Sequence, residues 1–70
     1  MALAFAPYGK TLTVRRIDLD DKTRRHLNNL GLAVGAEVTP VHISGGDVIL
    51  RVRGSKLAVN RALAMRITVA

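Results

Sequence analysis

The side chains able to carry chemistry in this 70-residue chain are few. They are His26 and His42, the carboxylates Asp18, Asp20, Asp21, Glu37 and Asp47, and the hydroxyls of Ser44 and Ser55, with no cysteine. A metal centre would draw three or four ligands from such a set. The aspartates crowd one short stretch and His26 follows more than a helical turn later, so the pattern holds neither a two-histidine helical pair nor a ligand cluster. His26 reads as a polar residue on a helix flank and His42 as a strand-surface residue. Ser44 and Ser55 each adjoin a glycine, in turns where serine commonly bonds its own backbone. Neither lies on a strand-to-helix elbow, and a chain this short has little room for a base, an orienting group and a pocket. Gly45-Gly46 precedes a strand rather than a helix, outside any phosphate-binding glycine frame. The expectation is a protein that is not an enzyme, with no cofactor and no metal site.

The elements around these residues are easier to read. Thr11-Leu12-Thr13-Val14-Arg15-Arg16-Ile17 begins as an alternating β-branched strand, with Leu12 and Val14 inward. Ile17 is out of phase, which predicts an irregularity near Arg16. Asp18-Leu19-Asp20-Asp21 is a helix-start signal, with Asp18 or Asp20 as the N-cap. Thr23, Leu27 and Leu30 then form one apolar stripe. Lys22, Arg25 and Asn29 fall on the solvent side, and Arg24 and Asn28 are intermediate. Gly31 ends the helix, with Leu32 able to fold back on the last turn. Gly35 launches a strand through Glu37–Ile43 in which Pro40 demands an edge or a bulge. Ser44-Gly45-Gly46-Asp47 is a turn, and Val48, Leu50 and Val52 face inward on the strand after it. Arg53-Gly54-Ser55-Lys56 is a second tight turn before a short strand, Leu57-Ala58-Val59. Asn60 caps one helical turn over Arg61–Ala64, and Ile67-Thr68-Val69 closes the chain. At the start, Leu3 and Phe5 are expected to tuck against the domain ahead of a turn at Pro7-Tyr8-Gly9.

The fold class that follows is mainly β: about five short strands, one α-helix and a short helical turn in one bent barrel, residues 1–70 forming a single domain. Met1–Ala6 lacks the basic region of a signal peptide, and no apolar run reaches membrane-spanning length. The expectation is therefore a soluble, cytoplasmic protein. The net charge of +6 suits an acidic partner or general solubility. Phe5 and Tyr8 are the only aromatic residues, too few for a platform on which successive bases stack, so nucleic acid is not the expected partner.

The segment Asp20–Gly35, with Leu27-Asn28-Asn29-Leu30-Gly31-Leu32 followed by Gly35-Ala36-Glu37-Val38, resembles the FeoA family of ferrous-iron-transport accessory proteins. That family's pattern is Arg-x-x-Leu-x-x-Leu-Gly-Leu/Met-x-Pro-Gly before a strand. Gly46-Asp47-Val48-Ile49 and the run from Leu57-Ala58-Val59 to Ile67-Thr68-Val69 extend the likeness to nearly the whole chain. The layout also resembles the C-terminal domain of DtxR-type, iron-dependent repressors. Two positions depart from the pattern: Val34 stands where a proline is usual, and Pro40 where an aliphatic residue is. The resemblance implies an SH3-like barrel that binds protein rather than iron. Its implied partner is FeoB, a membrane ferrous-iron transporter with a cytosolic GTPase domain, through which alone it would meet the membrane. The partner-binding residues expected on that basis are Arg24, Arg25, Leu30, Gly31, Leu32 and Gly35. The glycines would set backbone shape, Leu30 would pack, Leu32 would be partly exposed and the arginines would steer. Both leucines as core residues is the competing reading. The alternative functions are a nucleic-acid-binding or regulatory small barrel, which would show steep salt dependence, and a metal sensor.

Overall fold

Strand β1, Leu12–Ile17, bends to serve two neighbours. Its first residues pair with strand β2 (Glu37–Ser44) through Leu12 opposite Val38, and its second half pairs with strand β5 (Ile67–Val69) through Val14, Arg16 and Ile17. The register slips between Val14 and Arg16. The extra residue brings both Val14 and Ile17 into the core despite their odd spacing. Strands β3 (Asp47–Val52) and β4 (Ser55–Asn60) continue a meander, giving one antiparallel sheet in the order β4-β3-β2-β1-β5. The computed structural model describes all residues 1–70.

Helix α1, Asp21–Asn29, joins β1 to β2, and the single turn α2, Arg61–Ala64, joins β4 to β5. Asn60 caps α2, its side-chain oxygen accepting from the Ala62 N–H at 2.7 Å. The core consists of Leu3, Ala6, Leu12, Val14, Ile17, Leu27, Leu32, Val38, Val48, Leu50, Val52, Val59, Ala64, Ile67 and Val69, with no buried polar residue. The strands β3 and β5 show the clean alternation expected of a sheet with one wet face.

Two expectations change. Phe5 does not tuck in: it is 61% exposed, while Leu3 and Ala6 are buried. The chain there is a 3₁₀ turn over Leu3–Phe5, in which residues three apart share a side, so Leu3 and Ala6 face the core together and Phe5 faces out. Pro40 takes the second of the two places expected for it. It is buried beside a bulge, the β2–β3 register shifting between Pro40 and His42. The strand expected over Leu57–Val59 extends to Ser55–Asn60, because the turn before it takes only two residues.

Candidate docking surface at the end of the first helix

Asp20 takes the N-cap position of α1, with extended backbone (φ −64°, ψ 162°). Its carboxylate forms no closed cap hydrogen bond, yet the Thr23 hydroxyl nearby, followed by the Thr23 amide, holds its pKa below the ordinary value of 3.8. One turn later Arg24 is tied to Asp21 by an exposed ion pair.

The helix ends in a Schellman motif. The Gly31 N–H donates to the Asn28 carbonyl and the Leu32 N–H to the Leu27 carbonyl, each at 3.0 Å. Gly31 has φ +96°, a conformation that glycine alone adopts without penalty. The apolar contact that accompanies this motif is present, since Leu27 and Leu32 are both in the core. In the amide orientation its neighbours demand, Asn28 donates to the Leu32 carbonyl at 3.0 Å and the Arg24 carbonyl at 3.2 Å. It thereby ties helix and exit loop together.

The exit loop is stitched to β1. Gly35 donates to the Val14 carbonyl at 2.8 Å, and the Val14 N–H donates to the Ala36 carbonyl at 2.9 Å. Ala33–Ala36 is a turn closed by the Ala36 N–H on the Ala33 carbonyl at 2.9 Å, with Gly35 at its third position and φ +91°. A positive φ there marks the type II arrangement, whose second position favours proline. Val34 holds that second position, and its side chain is 62% exposed.

The two leucines exchange the roles expected of them. Leu32 has no exposure, whereas Leu30 is 46% exposed. On the helical wheel Leu30 lies about 60° from the buried Leu27, and Gly31 about 40° to its other side. Gly31 takes the inward position and is itself buried. A Cβ on it would stand 3.2 Å from Arg53 Cδ and 3.4 Å from Val52 Cγ1. The glycine thus lets the β3–β4 turn approach the helix end, and Leu30 is left facing solvent.

The structure therefore gathers Arg24, Leu30, Gly31 and Gly35 into one stretch whose backbone is fixed by hydrogen bonds, with Leu30 and Val34 as its exposed apolar side chains. Arg25 is exposed on α1 and has no carboxylate partner. Leu32 belongs beneath this surface. Arg53, expected only as a turn residue, joins it through Gly31. Its signal was present as a non-glycine residue in the first position of a tight hairpin. Elsewhere the basic residues are spread: Arg51 stands opposite Lys56 on the outer face of β3–β4, and Arg66 pairs with Asp18 at 3.4 Å. His26 and His42 are both exposed, and nowhere do three of the His, Asp and Glu side chains gather with metal-binding geometry. No helix is long and apolar enough to cross a membrane.

Comparison with known proteins agrees with the geometry. Residues 1–70 match the model of the FeoA domain. A protein of Methanocaldococcus jannaschii named "Putative Fe(2+) transport protein A" is 34% identical over 67 residues, covering 96% of this chain and 82% of that one. Among solved structures, FeoA of Chlorobium tepidum superposes with a TM-score of 0.90 at 27% identity, over 99% of this chain and 68% of the other. FeoA of Stenotrophomonas maltophilia, solved with zinc and described as an SH3 domain protein, gives 0.80 at 26% identity, over 100% of this chain and 89% of that one. IdeR of T. acidophilum gives 0.87 at 20% identity over 33% of its length, a likeness of fold alone. The barrel is thus SH3-like, and the chain belongs to the FeoA family, which is linked to ferrous iron transport.

Proposed function

We propose that this chain is a small cytoplasmic accessory protein of ferrous iron uptake. It acts as a protein-interaction module on the cytosolic, GTPase-containing part of a FeoB-type transporter. The docking surface is the C-terminal end of α1 and the loop after it. The observation that carries this reading is the exposure of Leu30 and Val34 on a backbone rigidly held by the Schellman motif and the Gly35–Val14 hydrogen bonds. Exposed apolar residues on a preorganised frame lose little entropy on binding and can act as anchors. Gly31 and Gly35 shape the frame, Leu32 holds it to the core, and Arg24 and Arg25 steer an acidic partner.

Titration of the purified cytosolic domain of the cognate transporter against this protein tests the reading. Saturable binding that Leu30→Ser weakens while the fold is retained supports it. Absence of binding at hundreds of micromolar, with both proteins folded, overturns it.

A further inference from the structure

Arg53 is the only non-glycine residue with positive φ, at +52°. It and Gly54 (φ +78°) form the two-residue turn between the paired residues Val52 and Ser55. Such turns favour Asn or Gly at their first central position, because other L-residues are strained there. The equivalent turn between β2 and β3 takes Gly45 and Gly46 instead. An arginine kept in a strained position is a sign that its side chain is used.

What the side chain reaches is defined by Gly31. The Arg53 stem lies across that glycine, with Cδ 3.2 Å from where a Cβ would stand. The guanidinium, bonded to that carbon, is therefore beside the helix exit at Gly31, the residue that follows exposed Leu30 in the chain. Arg53 is exposed and has no carboxylate partner in the protein. Its five donors are thus free for a planar acceptor.

We propose that Arg53 is a specificity-determining residue of the docking surface. Its guanidinium receives a carboxylate on the partner protein, set next to the apolar side chain that covers Leu30 and Val34. The inference rests on the docking reading above and names the chemistry of the partner segment: an acidic residue flanking an apolar one. Charge complementarity favours this occupant, since exposed Arg25, on the helix that Arg53 approaches, is a second cation with no carboxylate partner.

The test uses the full chain and the cytosolic domain of the cognate transporter, with Arg53→Asn, Arg53→Gln and Leu30→Ser compared by thermal melting and by titration at two salt concentrations. Arg53→Asn relieves the strained turn and raises Tm by about 4–8 °C, yet weakens binding at least about tenfold. Arg53→Gln keeps the stem over Gly31 without the charge, leaves Tm near that of the wild type, weakens binding similarly and flattens the salt dependence. If Arg53→Asn lowers Tm, or both Arg53 variants bind like the wild type while Leu30→Ser does not, the arginine is only a cover for Gly31 and the inference falls. If Leu30→Ser also binds like the wild type, or the wild type does not bind, the docking reading falls with it.

Discussion

The two hairpins of the β2–β3–β4 meander share a plan and differ in what lies against them. Each reverses the chain in two residues, both at positive φ. At Gly45-Gly46 an added Cβ would meet nothing within 4 Å at either position. At Arg53-Gly54 an arginine adopts a conformation that costs L-residues about 1–2 kcal/mol, and its stem rests on the glycine ending α1. The first hairpin is only a reversal. The second is coupled to the helix exit, so strain, close approach and exposed apolar side chains coincide at one end of the molecule and are separate at the other. That coincidence, more than any one residue, supports the docking surface proposed at the end of α1.

Substitutions along the coupled end probe how far this contrast holds. The largest effect is expected beneath the surface: Leu32→Ala removes a side chain with no exposure and should destabilise by about 2–5 kcal/mol in denaturant unfolding. Gly31 and Gly35 offer a sharper comparison, having similar φ values of +96° and +91° but crowded and open surroundings respectively. Gly35→Ala should cost about 1–2 kcal/mol from backbone strain. Gly31→Ala should cost about 0.5 kcal/mol more, an excess that disappears in an Arg53→Gly background if the Arg53 stem is its cause. The smallest effect runs the other way. Val34 stands at the second position of the Ala33–Ala36 turn, and its N–H donates no backbone hydrogen bond. Val34→Pro should therefore stabilise by about 0.4–1 kcal/mol, read as a rise in Tm.

Much of the fold was legible in the sequence because local chemistry and tertiary packing agree. The Gly45-Gly46 turn, the Asn60 cap and the irregularity that buries Ile17 each follow from a few adjacent residues. At the candidate docking surface the sequence showed the helix stop but not which side chains it exposes. Periodicity carried Leu30 into the apolar stripe, but the stripe ends where Gly31 takes the inward position. What decides that is Arg53 and Val52, two residues more than twenty positions away, whose approach no local pattern records. Phe5 was misplaced for a related reason. A short apolar run does not reveal whether its period is two or three, and the 3₁₀ turn chose three. Arg53 itself was readable only as a turn residue until the helix end was seen beneath it.

The partner is expected to bind where the end of α1 meets the β3–β4 turn. Amide chemical-shift mapping of the ¹⁵N-labelled protein, titrated with the unlabelled cytosolic domain of the cognate transporter, tests it most directly. Perturbations are expected to concentrate at Arg24–Gly35 and Arg53-Gly54, with Gly45-Gly46 unmoved. Perturbations centred on Gly45-Gly46 or on the outer face around Arg51 and Lys56, with the helix exit silent, would contradict it.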